Sequence, residues 1–148
     1  MSGPSVLIPV APGTNRDRDL ALAFALAGAH PVVVPITAVR DGDVRVADHP
    51  ILAVAGGFSY GDALGAGHLL ALDVADWTAE WAADSVDRDH LVFGVCNGFQ
   101  ALVAAGLLPG RHETPAALRH NERHRFECRW VTLAPGDAPG PWTDGLDG

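Results

Sequence analysis

The chain has 148 residues, 48% of them hydrophobic, which suits a single domain over residues 1–148 and excludes a disordered chain. A formal net charge of −8 argues against nucleic acid as a partner. All basic residues are arginine, and the absence of lysine excludes a Walker phosphate loop and Schiff-base chemistry.

No apolar run reaches the roughly 18 residues of a membrane span. The start, Met1-Ser2-Gly3-Pro4, lacks the pattern of a signal peptide. The expectation is a cytoplasmic protein with no membrane partner. The two cysteines, Cys96 and Cys128, do not suggest a disulfide framework there.

In chain order, Val6 to Val10 reads as the first strand. A helix follows, with Leu20, Ala23, Phe24 and Ala27 on one stripe. Thr14 with Asp17 resembles a capping box at its start, and Gly28 then Pro31 ends it. Val32 to Val34 and Ile51 to Ala55 are further strands. Leu70, Val74, Trp77 and Trp81 mark a second helix, with the two tryptophans read as core packing. Leu91 to Val95 is the fourth strand, and Phe99, Leu102 and Val103 mark a third helix, stopped by Gly106 and Pro109. The strands are continuously apolar, as expected when both faces are covered. Strand alternating with helix predicts an α/β fold: a mostly parallel, flavodoxin-like sheet with helices on both faces.

From His112 the chain turns polar, and Arg125 to Leu133 reads as another strand. After Ala134, Pro-Gly-Asp-Ala-Pro-Gly-Pro reads as loop. His120, His124 and Cys128 recur every four residues, but a strand reading of Cys128 removes the meaning of that spacing, and no metal site is expected. Arg119, Arg123, Arg125 and Arg129 form a basic cluster, read as a solvated strand face or as a contact with a partner or its phosphorylated substrate.

In sheets of this kind, chemistry collects at the carboxyl ends of the strands. Two such ends carry unusual sequences. Gly94-Val95-Cys96-Asn97-Gly98 has the form G-x-C-x-G between a strand and a helix, the thiol version of a nucleophile elbow. A sharp turn there strains the nucleophile's backbone, and small residues on either side avoid clashes. The sulfur then sits at a helix N-terminus, whose positive end stabilises negative charge. The Asn97 N–H points to where an oxyanion develops. The competing reading of Cys96 is a small core residue. The second end, Gly56 to Asp62, lets backbone approach a ligand closely, and Gly57 is its candidate oxyanion donor; the competing reading is a plain glycine turn.

At these residues the sequence resembles the class I (triad) glutamine amidotransferases. Gly56-Gly57-Phe58-Ser59-Tyr60-Gly61-Asp62 and Gly94 to Gln100 look like their two signature stretches. The details are most similar to the branch that forms the glutaminase component of phosphoribosylformylglycinamidine synthase. Pro12 to Asp19, Gly106 to Gly110 and Arg125 to Val131 agree with that branch. The resemblance implies Cys96 as the nucleophile that forms a glutamyl thioester. It implies an oxyanion hole from Gly57 and Asn97, and a glutamine pocket shaped by Phe58, Ser59, Tyr60 and Gln100. No cofactor is implied for this chain. ATP and Mg belong to a large synthetase partner that receives the ammonia in purine biosynthesis, alongside a small accessory subunit.

One departure stands out. The family's triad also needs a histidine and a glutamate from a later His-Pro-x-Glu stretch, which is not found in these 148 residues. The expectation is a C-terminally truncated domain, incomplete at that end of the sheet. His68, His112, His120 and His124 are expected to be solvated or capping rather than replacements for the base. The alternative is a catalytically silent subunit that docks on the same complex. A PfpI-type hydrolase or chaperone on a related sheet is a third reading, disfavoured by the Phe-Ser-Tyr-Gly-Asp loop.

Overall fold

The computed structural model describes residues 3–79, 90–110, 114–134 and 141–143. The chain divides into two compact units, Met1–Leu118 and Arg119–Gly148.

In the first unit, β1 (Ser5–Val10), β2 (His30–Pro35), β3 (Ile51–Val54) and β4 (Leu91–Gly94) form one sheet in the order β2-β1-β3-β4. Every pairing is parallel. The α-helices bounded within the described residues are α1 (Asp17–Leu26), α2 (Ile36–Arg40), α3 (His68–Trp77) and α4 (Asn97–Ala104). The α/β class, the parallel sheet and helices on both faces are as the apolar runs predict.

The continuous runs divide by strand alternation between two cores. Leu7, Leu52 and Val54 point to one face and pack with Ile36 and Val39 of α2, Leu70 and Val74 of α3, and Ala101 and Leu102 of α4. Val6, Ile8, Ile51 and Ala53 point to the other and meet Leu20, Ala21 and Phe24 of α1. Phe24 meets Phe93 of β4 edge-on, with ring centroids 5.6 Å apart. Leu7, Ile8 and Leu52 are fully buried, each contributing about 1.5–3 kcal/mol relative to exposure.

Several expectations are corrected. Ala23 and Ala27 are exposed, so α1 buries the seam Leu20, Ala21, Phe24 instead. Thr14 does not cap α1. The N-cap position is Arg16, with no side-chain cap bond; the Thr14 N–H that a capping box would offer to Asp17 donates instead to the Ala11 carbonyl at 3.0 Å, and the Asn15 and Arg16 N–H groups donate to the Gly56 carbonyl at 3.4 and 3.2 Å. Phe99 is 40% exposed rather than buried. The short helix α2, which no apolar stripe announces, fills the core with Ile36 and Val39. Trp81 lies outside the described residues, whereas Trp77 packs against the larger core. Both predicted helix stops hold: beyond Ala27 and Ala105, the turns at Gly28 and Gly106 are left-handed.

In the second unit, no helix or strand occurs among the described residues. The strand expected from Arg125 to Leu133 is therefore absent: among the described residues the segment pairs with no other strand, and it is exposed to water. Cys128 sits in this coil, so the strand reading of that residue fails too.

Close packing of α4 on the sheet explains both glycines of the elbow. A Cβ on Gly98 would lie 2.0 Å from the Val54 carbonyl oxygen, and one on Gly94 would lie 2.9 Å from the Phe99 backbone. Replacing Gly98 by alanine should therefore displace α4 from β3. We expect Gly98→Ala to lose about 3 kcal/mol of stability, read as a lower urea midpoint; an unchanged midpoint would show that α4 has room to move.

Candidate functional site

Because the sheet is parallel, the loops after β1, β3 and β4 leave from the same edge. Cys96 lies two residues past the end of β4 and occupies the N-cap of α4, with φ 53° and ψ −114°. That left-handed conformation is strained for a side chain larger than glycine, at a cost of about 1–3 kcal/mol. Bonds on either side hold it: the Val95 N–H donates to the Val54 carbonyl at 3.2 Å, and the Cys96 carbonyl accepts from the Gln100 N–H at 3.1 Å. The thiol is exposed.

The loop after β3 lies against it. A Cβ on Gly56 would come within 3.4 Å of the Cys96 Cβ. Gly57 has φ +145° and pairs with Thr14 in an isolated antiparallel bridge. A Cβ there would lie 2.8 Å from the Asn15 nitrogen and 2.9 Å from the Gly13 oxygen, so glycine is required on two counts. Among the described residues, the N–H groups of Gly57 and Asn97 have no acceptor. Two donors without acceptors thus sit on the loop that lies against Cys96 and on the first residue of α4.

Asn97 joins the two loops. Its side chain is buried. Its Oδ1 accepts from the Ser59 N–H at 3.1 Å and from the Ser59 hydroxyl at 2.6 Å. Its Nδ2 donates to Asp62 at 2.9 Å and makes a longer 3.5 Å contact with Gln100. The elbow motif assigns Asn97 only a backbone role and gives no hint of this side chain.

Of the residues expected around glutamine, Phe58 is 63% exposed, Gln100 lies on the first turns of α4, and the Ser59 hydroxyl is committed to Asn97. The Tyr60 hydroxyl donates to Asp73 at 2.9 Å and accepts from Arg40 at 2.7 Å. Arg40 also donates to Asp73 at 2.7 Å, and its guanidinium lies over the Tyr60 ring. Burial pushes the Tyr60 phenol up to about 12; the hydrogen bond to Asp73 and that carboxylate's charge add to the rise, and Arg40 opposes it. Neither Arg40 nor Asp73 stands out in the sequence, since a lone arginine and a lone aspartate on helices carry no local signal.

The ring of His68 packs against Gly65 at the start of α3. His112 is outside the described residues, and His120 and His124 belong to the second unit. Among the described residues, no group of three metal-ligating side chains occurs. No described helix is long and apolar enough to cross a membrane.

Residues 3–146 match the CobB/CobQ-like glutamine amidotransferase domain. The chain belongs to this family. Among curated proteins, the amidotransferase chain is 40% identical to phosphoribosylformylglycinamidine synthase subunit PurQ of Treponema denticola, over 98% of this chain and 58% of that protein. It is 43% identical to the PurQ subunit of Dehalococcoides mccartyi, over 90% of this chain and 53% of that protein. A solved structure of PurLQS from Thermotoga maritima superposes with a TM-score of 0.66 at 35% identity, covering 87% of this chain and 54% of that one. The chain thus spans about half the length of the curated relatives it matches.

The bond network around Asn97 and Tyr60 is open to test. Asn97→Ala should cost about 3 kcal/mol, because it leaves the buried Ser59 N–H and hydroxyl without an acceptor. In a double-mutant cycle with Ser59→Ala, urea unfolding should give a coupling of about 1–2 kcal/mol; additive effects would show that the two side chains do not interact. For Tyr60 the readout is alkaline stability. The folded state keeps the phenolic proton up to about pH 12, while the unfolded chain loses it near pH 10. The Tyr60 contribution to stability is therefore complete below about pH 10 and is lost as pH rises towards 12. Tyr60→Phe should flatten that alkaline decline; an unaltered decline would assign it to other groups.

Proposed function

We propose that this chain is the glutaminase component of phosphoribosylformylglycinamidine synthase, using Cys96 to release ammonia from glutamine. One observation carries the reading. An exposed cysteine in a strained elbow at a helix N-terminus lies against a double-glycine loop, and the N–H groups of Gly57 and Asn97 have no acceptor among the described residues. Two donors so placed suit an oxygen that gains negative charge during attack on an amide. Membership of the amidotransferase family and likeness to PurQ subunits support the choice of glutamine as the amide.

The Cys96 sulfur attacks the side-chain carbonyl carbon of glutamine. The carbonyl oxygen becomes an oxyanion between Gly57 and Asn97. When the intermediate collapses, the carbon–nitrogen bond breaks, the thiol proton passes to the leaving nitrogen, and ammonia departs from a glutamyl thioester. Water then cleaves the thioester to glutamate and restores the thiol. Phe58, Ser59, Tyr60 and Gln100 belong to the glutamine pocket. Of these, Ser59 acts through its bond to Asn97, and the exposed Phe58 ring is free to meet the substrate. No His-Pro-x-Glu stretch occurs in the 148 residues, so the proton transfer is assigned to no residue here.

Ammonia passes to a large ATP-dependent synthetase, with a small accessory subunit completing the complex. The likeness to PurLQS from Thermotoga maritima supports this arrangement. ATP and Mg act on the synthetase, in the cytoplasm.

Both cysteines are exposed, so a general thiol reagent should modify both, whereas a glutamine-like diazo-ketone distinguishes them. We expect the diazo-ketone to label Cys96 and not Cys128, glutamine to protect Cys96, and Cys96→Ala to abolish the label. Labelling of Cys128 alone, or of neither thiol in the natively expressed protein, would overturn the reading.

A further inference from the structure

We propose that Asp73 and Arg40 are positioning residues for the reaction at Cys96. Acting through Tyr60, they hold the loop that carries the Gly57 N–H where the oxyanion forms. The inference rests on the glutaminase reading above and deepens it.

The loop from Gly56 to Asp62 is unfavourable by itself. Gly57 has φ +145°, and three consecutive residues, Tyr60, Gly61 and Asp62, have φ of 54°, 63° and 53°. The Tyr60 side chain disfavours a left-handed backbone, and Asp62, which tolerates it better, extends the run. Such a path persists only where its surroundings impose it. The upstream half is held by backbone: the Gly56 carbonyl accepts from Asn15 and Arg16, and the Phe58 N–H donates to Gly13 at 3.0 Å. The midpoint is held by Ser59 on Asn97. On the downstream half, the Tyr60 N–H donates to Pro12 at 2.6 Å, and the Tyr60 side chain is fixed by Arg40 and Asp73.

Those three side chains close a ring. Asp73 uses one carboxylate oxygen for Arg40 Nε and the other for the Tyr60 hydroxyl, and Arg40 turns a second N–H onto the same hydroxyl. Asp73 sits on α3 and is only 11% exposed at its side chain. Arg40 is the last residue of α2. Both helices are set in the larger core through Val39, Leu70 and Val74. The ring therefore ties the strained end of the loop to the packed layer of α2 and α3.

Magnitudes separate this role from plain stabilisation. The Arg40 side chain is 47% exposed, and an ion pair that open to water adds little to global stability. A displacement of about 1 Å at a reacting group, by contrast, costs on the order of 100-fold in rate. The main effect of the ring should thus fall on chemistry that uses the Gly57 donor.

The test compares two reagents on the whole chain. A glutamine-like diazo-ketone needs the pocket and the oxyanion donors, whereas iodoacetamide needs only the exposed thiol. In Asp73→Ala and Arg40→Met, we expect diazo-ketone labelling of Cys96 to slow by roughly 10- to 100-fold, with the iodoacetamide rate unchanged. Asp73→Asn, which keeps an acceptor oxygen, should recover part of the loss. Equal slowing with both reagents, or no slowing in a folded variant, overturns the proposal. If Asp73→Ala does not fold, the half-exposed Arg40→Met decides on the same criteria. A wild-type chain that the diazo-ketone fails to label overturns the glutaminase reading and this inference with it; a labelled wild type with unaffected variants overturns this inference alone.

Discussion

Asn97 accepts two hydrogen bonds from Ser59 and donates one to Asp62, and so binds the loop after β3 to the first turn of the helix after β4. The side chain is buried, and a buried amide without partners would be costly, so its donors and acceptors leave the two loops little freedom to separate. The same residue carries one of the two free N–H groups beside Cys96. Structure and chemistry thus meet in a single side chain and its own backbone. Loosening Asn97 would free the loop after β3 from the helix that follows Cys96.

The surrounding structure serves that contact. The parallel sheet brings the ends of β1, β3 and β4 to one edge, and small residues let the parts approach. Gly98 admits α4 to within contact of the Val54 carbonyl, and Gly57 allows the double-glycine loop to run against Thr14 and Asn15. Strain accumulates at Cys96, Tyr60 and Asp62, each with a left-handed backbone. Every one of these sites is bounded by hydrogen bonds to neighbouring loops or helices, as strained backbone must be.

Membership of the amidotransferase family agrees with this geometry. The cysteine elbow and double-glycine loop read from the sequence are the features that the structure places in contact. The second unit contributes differently. Arg119, Arg123, Arg125 and Arg129 lie in coil that is open to solvent, and the pair Arg129–Glu127 is long, at 3.6 Å. An exposed pair of that kind adds little stability.

Local pattern was enough to read the four strands, the helix stops at Gly28 and Gly106, the α/β class and the elbow at Cys96. Each depends on a short-range signal: apolar runs, glycine after a helix, and small residues two positions from a nucleophile. Which side chains close the site was settled by long-range packing. Ser59 and Asn97 are 38 residues apart, and Arg40 and Asp73 are 33 apart; no periodicity links partners at such separations. Packing also ruled out the Thr14 cap and the strand from Arg125 to Leu133. In the first case the Gly56 carbonyl, remote in sequence, takes the Asn15 and Arg16 N–H groups and holds Thr14 outside the helix. In the second, strand propensity finds no neighbouring backbone to pair with among the described residues, and an unpaired strand has nothing to offset the entropy of its extension.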